Sequence, residues 1–435
     1  MSVESHQLER AERLWLLVVL AATIVLYAAF AAGDHPIAFG VNQLRHLAEP
    51  ALVAPIAGLL AWCAALSLLA ARGPRGRQAE RLVEVGVAAL AFVVFYAMRT
   101  NFINPDGRDF SWRFAADVPV KGYFATHDEI LELALHSRAW YYTHQWWGWD
   151  VERTYLWFSC AAGAAFIILL DGFARRQPSA ARPIVVAGVL SGGYMQLFFG
   201  DVENYTITAA LVMLYVVAAV RFLNREIRLV WPTIALAVAM CFHLLAGWLL
   251  PSLLYLFWID WKERRDLGNL IMCAASGAAV GLATVVFFNF HGLPWKLFIE
   301  GHIGHAILFQ NVWAGRQPAS YYIAQLNLLL LLCPAVALLV PLIAFDRRPW
   351  DTESVFLGIA AGMLLMFQAL WRAQLGVYND WNLFAVGGLC IGLFVWRRVG
   401  GFASAGSARL VAVALAATYA LHTCAWIAAN HAIVR

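Results

Sequence analysis

Carboxylates carry most of the chemistry this chain could perform, and they are bunched. The longest hydrophilic stretch, Arg99 to Asp150, holds Asp106, Asp109, Asp117, Asp128, Glu129 and Glu132 among Trp, Tyr and His. Acids of this kind serve proton transfer, and the aromatic rings suit a water-lipid boundary or a sugar face. Asp106 and Asp109 lie in N-P-D-G-R-D, where Pro105 and Gly107 predict a turn. Such a turn would hold Asp106 at a cavity mouth as a general base, although an ordinary Asx turn accounts for the residues equally well. Thr126-His127-Asp128-Glu129 opens an amphipathic segment. Thr126 with Glu129 fits a capping box, and Asp128, Glu132 and His136 recur on one helix face, so Glu129 reads first as a cap that can also hold a ligand.

Gly200-Asp201-Val202-Glu203-Asn204-Tyr205 sits between two apolar runs. Acids so close to hydrocarbon are costly unless they line an aqueous cavity, so Asp201 and Glu203 read as functional, with Tyr205 beside them. Lys296, Arg316 and Arg372, followed by Asp380, form a set of cations in other loops. They would suit a phosphate-bearing ligand, Arg through bidentate contacts, or they anchor lipid headgroups. His243 lies in a broken apolar stretch and fits a catalytic or a hydrogen-bonding role.

These residues need elements to hold them, and composition says which. With 62% hydrophobic and 13% charged residues in a chain of 435, too little polar surface exists for a soluble globule. A spanning helix takes about 20 apolar residues, and about 13 such spans can be placed, some of them short. The run Leu14 to Ala32 is too long for a signal sequence's apolar region and reads as a retained first span. Residues 1–82 then form a leading pair of spans, 83–397 a membrane core with outer loops 99–151, 290–320 and 372–381, and 398–435 a last span. About 20 of the 31 Lys and Arg residues fall in the short loops this topology makes cytoplasmic, which puts the N-terminus inside and the acidic loops outside. The net charge of +4 is scattered and forms no stripe for nucleic acid. The seven cysteines all fall in apolar spans without C-x-x-C spacing, which suggests neither disulfides nor a metal site.

F-F-G-D-V-E-N-Y resembles the F-G-x-V-E-x-Y signature of some bacterial members of the GT-C glycosyltransferase superfamily. Phe242-His243, Gln325-Leu326-Asn327 with a leucine run to Cys333-Pro334, and Asn379-Asp380-Trp381-Asn382-Leu383-Phe384-Ala385 are similar to other patterns of that group. Asn382 stands where the pattern often has an acid, and N-P-D-G-R-D replaces a G-D-G. The resemblance implies an all-α, polytopic GT-C-like helix bundle whose long first outer loop carries juxtamembrane helices. It implies inverting transfer from a polyprenyl-phosphate sugar to an acceptor on the non-cytoplasmic face of a bacterial inner membrane. Asp106 would be the base, with Asp128 or Glu129 as second choice. Arg372, Arg316 and Lys296 would hold the lipid phosphate, and Asp201 and Glu203 sugar hydroxyls or a second substrate. No cofactor is demanded, though a divalent metal, Mg or Mn, is compatible. The residues alone also fit a secondary transporter or a non-catalytic assembly subunit. Against transport, the ionisable groups gather at span ends and no inverted repeat is visible.

Overall fold

The computed structural model describes residues 3–31, 54, 57–58, 77–103, 105–126, 128–295, 318–373, 375–402 and 406–432. Every regular element among them is helical, as the composition and the apolar runs lead one to expect. Among the described residues seven helices are long and apolar enough to cross a membrane, or eight if one bent pair counts as a single span. Three shorter apolar helices, Arg13–Ala28, Leu82–Ala97 and Val230–Phe242, accompany them. The expected figure of about 13 included short runs, and most of its second span lies outside the described residues.

Local sequence sets where the helices begin and break. Asp150, Asp266 and Asp351 each accept a hydrogen bond from the backbone N–H three residues on, starting the helices Val151–Ala174, Leu267–Phe290 and Thr352–Leu370. Two apolar runs that read as continuous are interrupted, and a third breaks at His243 as its sequence leads one to expect. Gly192 separates the helix Arg182–Leu190 from a 3-10 turn over Gly193–Phe198. His243 stops Val230–Phe242, and Pro334 bends the Ala319–Leu332 run by 103°. Such breaks in a bundle are tolerated where other protein groups satisfy the freed backbone.

The helix Ala385–Phe402 lies at the centre, with 89% of the most apolar window of its span buried. Leu267–Phe290 lies at the edge, with 6% buried. Side chains of both therefore stay apolar for different reasons, one facing protein and the other hydrocarbon.

The loops sort into two groups, each tied together at one end of the bundle. At one end Arg175 pairs with Glu84 at 2.5 Å, Arg176 with Glu226, Arg225 with Glu263, and Arg397 with both Asp351 and Glu353. At the other, Thr100 N–H donates to Phe199 O at 2.7 Å and Asn101 N–H to Asn430 O at 2.9 Å. Tyr123 Oη reaches His291 O at 3.0 Å there. The arginine-rich loops make up the first group and the acid-rich loops the second, so the pairing follows the alternation of span ends.

Candidate functional site

Four segments remote in sequence meet at the acid-rich end. The first is Asp128-Glu129, just before the juxtamembrane helix Ile130–Trp147. The second is the Gly200–Tyr205 loop that precedes the span helix Thr206–Leu223. The break at His243 supplies the third, and the 3-10 turn Trp381–Phe384, preceded by Asp380, the fourth.

Glu129 is where they join. Its Oε2 accepts a 2.7 Å hydrogen bond from Asn204 Nδ2, and its Oε1 lies 3.3 Å from His243 Nε2. Leu244 N–H donates to Asp128 O at 3.1 Å, so the broken helix is docked onto this strand by backbone as well as side chain. His243 Nδ1 accepts from Leu245 N–H at 3.1 Å. That bond assigns the lone pair to Nδ1 and the proton of the neutral ring to Nε2, which faces the Glu129 carboxylate. Asn204 Oδ1 accepts in turn from Tyr155 Oη at 3.3 Å. The Tyr205 ring packs on His243 with centroids 4.7 Å apart.

The expected capping box is absent. Glu129 occupies the N-cap position but makes no side-chain cap bond, and Thr126 Oγ1 donates to Asp128 Oδ1 at 2.9 Å instead. The carboxylate turns away from its own helix because a better donor, an amide 75 residues later in the chain, is within reach. Asp128 lies before the helix and does not share the face of Glu132 and His136.

The other acids surround Tyr205. Burial raises its phenol well above the usual value, and the nearby carboxylates of Glu129, Glu203, Asp380 and Asp128 push the same way. Asp201, Glu203 and Asp380 are buried. Burial lifts Asp201 to about 7, opposed by a long 3.4 Å hydrogen bond from Asn382 Nδ2. Asn382 therefore faces Asp201 where an acid would have set two carboxyls together. Asp380 Oδ2 accepts from Leu375 N–H at 2.9 Å and closes its own loop.

Two residues that sequence reasoning did not select lie beneath. Glu132 and His136 are buried, with Glu132 Oε1 3.3 Å from His136 Nδ1, and the imidazole stacks on Tyr155 at 3.9 Å. Burial raises the Glu132 carboxyl, with Glu129 adding to it, and lowers His136 to about 4, which leaves the imidazole neutral near pH 7. Asn204 was also missed, because an amide between two acids draws no notice. The available signal was that no residue of that short loop had a surface to dissolve into.

The remaining expected residues are placed as follows. The N-P-D-G segment is not a turn: Pro105 begins the helix Pro105–Lys121, and Asp106 lies in its first turn. The Asp106 side chain lies outside the described residues, as do Lys296 and Arg316. Gly107 brings the start of this helix against the acid loop, since a Cβ there would stand 2.5 Å from Val202 O. Asp109 is exposed and pairs with Arg113 at 3.3 Å, an ordinary i,i+4 pair on the helix surface. Arg372 is exposed in the extended segment after Thr352–Leu370. Among the described residues no three His, Cys, Asp or Glu side chains form a group that could hold a metal ion.

An apolar cavity of about 710 Å³ opens beside the site, between Val230–Phe242, Leu250–Arg264 and Leu267–Phe290. Leu236, Met240, Leu253 and Phe257 line it, and Asp128 and Ile130 form one end. Gly277 and Gly281 lie along the wall that Leu267–Phe290 contributes.

No protein-family profile matches the sequence, and no curated protein does. Solved structures match the arrangement of helices. The chain is similar to ArnT from Cupriavidus metallidurans bound to undecaprenyl phosphate, at a TM-score of 0.55 and 15% identity, over 82% of this chain and 78% of that one. The apo state of the same protein matches at a TM-score of 0.51 over the same shares. This integral membrane protein shares the helical fold of those structures.

Proposed function

We propose that this GT-C-fold protein is a membrane glycosyltransferase that moves a sugar from a polyprenyl-phosphate donor to an acceptor hydroxyl. The convergence of Asp128, Glu129, Asp201, Glu203, His243 and Asp380 beside an apolar cavity supports this reading more than any other observation. The ArnT structure with undecaprenyl phosphate supplies the chemical class of donor.

In an inverting transfer the acceptor oxygen attacks the anomeric carbon while the bond from that carbon to the phosphate oxygen breaks. The leaving polyprenyl phosphate is stable as an anion and needs no acid to protonate it. One carboxylate suffices to take the acceptor's proton, and the resemblance places it on the first outer loop. Asp106 fits by resemblance. Glu129 fits by geometry, since Asn204 Nδ2 donates to its Oε2 and His243 Nε2 lies 3.3 Å from its Oε1. Asp201, Glu203 and Tyr205 would bind hydroxyls of the sugar or the acceptor. Arg372, with Lys296 and Arg316, would take the phosphate.

The apolar cavity would receive the first isoprene units. Lipid chains are as apolar as such a wall, so moving the tail from bilayer to protein gains little. Its role is registration, and affinity for the donor rests on the phosphate. The acid-rich end would face the periplasm of a bacterial inner membrane, as the loop charges argue. The ionisable groups gather at the span ends and not at mid-depth, which speaks against a transport site.

Parallel substitution of the two candidates tests this. The variant lacking the base should lose about 100- to 10,000-fold in lipid-dependent sugar transfer while remaining folded in membranes. If neither Asp106→Asn nor Glu129→Gln slows transfer, both residues are excluded as the base.

A further inference from the structure

At the outer end of Ala319–Leu332 stands a phenol that the chemistry above does not use. Tyr321 Oη donates to the Trp371 carbonyl at 3.1 Å and accepts from the Ala373 N–H at 2.9 Å. Gln325 Nε2 reaches the same oxygen at 3.0 Å. A phenol has one proton to give and two lone pairs, so its whole capacity is committed. Gln325 is itself met by Gln368 Nε2, 3.3 Å from its backbone carbonyl. Both glutamines are buried in otherwise leucine-rich helices. Polar groups in such a place are costly unless paired, and here the pairing ends at one short stretch of backbone.

That stretch is Trp371-Arg372-Ala373. Trp371 has left the helix with an extended backbone, φ −85° and ψ 131°, and Ala373 is buried. Arg372 between them is exposed. One hydroxyl thus fixes the chain on both sides of a guanidinium whose own side chain projects into solvent. Farther on, Asp380 Oδ2 holds Leu375 N–H and fixes the other side of the loop.

We propose that Tyr321 is a positioning residue that holds Arg372 toward the phosphate of the lipid donor. This rests on the reading of Arg372 as a phosphate ligand. Bidentate contact with phosphate oxygens demands a fixed guanidinium plane, and an unpinned extended segment would have to be ordered at each binding event. Because the tail contributes little affinity, the preorganised cation sets how tightly the donor is held.

The test measures binding of undecaprenyl phosphate and of the matching polyprenol, which lacks the phosphate, to purified protein in detergent. Arg372→Gln should weaken binding of the phosphate lipid about 10- to 100-fold, the range of a lost charge-assisted contact. Tyr321→Phe should weaken it about tenfold. Neither should change polyprenol binding. Ala373→Pro removes the N–H from the far side of the same bond and should copy Tyr321→Phe, so the question stays answerable if one variant fails to fold. Weakening by Arg372→Gln with no effect of Tyr321→Phe or Ala373→Pro overturns the positioning role alone. No effect of Arg372→Gln overturns the phosphate reading beneath it. Equal loss of polyprenol binding in Tyr321→Phe makes the phenol a general structural support and also overturns the proposal.

Discussion

Asp201 stays protonated far above the range of an ordinary aspartate, because its side chain is buried and its hydrogen bond from Asn382 is long. Its usual value is 3.8 and the folded value about 7. Between those values the folded protein keeps a proton that the unfolded chain has lost, so this residue lowers stability as pH rises through that window. The melting temperature of Asp201→Asn minus that of the natural protein should therefore increase from about pH 4 to pH 7 and then level off. A flat difference would mean that Asp201 is ionised throughout. His136 works in the opposite direction, since its value falls from 6.5 to about 4 and the unfolded chain takes up the proton first as pH drops. The difference between variants isolates one sign where the total mixes both. The acids themselves were legible as candidates from their place next to hydrocarbon. Their protonation was not, because it depends on burial contributed by other segments.

At the scale of elements, close approach replaced local turn chemistry. P-D-G reads as a turn, yet Pro105 starts a helix, for its fixed φ and missing N–H suit the first helical position. Gly107 then does what no larger residue can, since a Cβ would stand 2.5 Å from Val202 O and 3.2 Å from Ile103 Cγ2. Gly107→Ala must push this helix off the acid loop. Transfer should fall more than about tenfold, because displacements near 1 Å are costly to catalysis, with helix content by circular dichroism unchanged. Unaltered transfer would separate the helix from the site. Gly200 marks the same loop from the other direction, with φ +84° and a virtual Cβ 2.5 Å from Leu156 Cδ1. The Thr126-Glu129 spacing was a fair local signal that lost to a distant amide. Capping rules weigh only neighbours, and Asn204 is not one.

For the molecule as a whole, the two groups of loops fix a geometry that labelling can orient. Arg113→Cys, on the exposed helix of the first outer loop, should react with a membrane-impermeant maleimide in intact cells. Arg225→Cys, in the group tied by Arg225–Glu263 and Arg176–Glu226, should react only after permeabilisation. The cysteines at 160, 241, 273, 333, 390 and 424 are buried, and with Cys63 replaced by Ser in both variants the background is low. The reverse pattern would invert the proposed sidedness, and with it the assignment of the acidic cavity to the periplasm.

The sequence by itself determined that the chain is a helical membrane protein, that its spans alternate, and that its acid-rich and its arginine-rich loops belong to opposite ends. These follow from composition and from apolar runs, which act over a few residues at a time. Only the tertiary structure decided that Glu129 meets Asn204 and His243, that Asn382 faces Asp201, and that Tyr321 grips both sides of Arg372. Such meetings depend on how helices pack and where they break, and a hydrogen bond between residues 50 or more apart leaves no trace in local spacing.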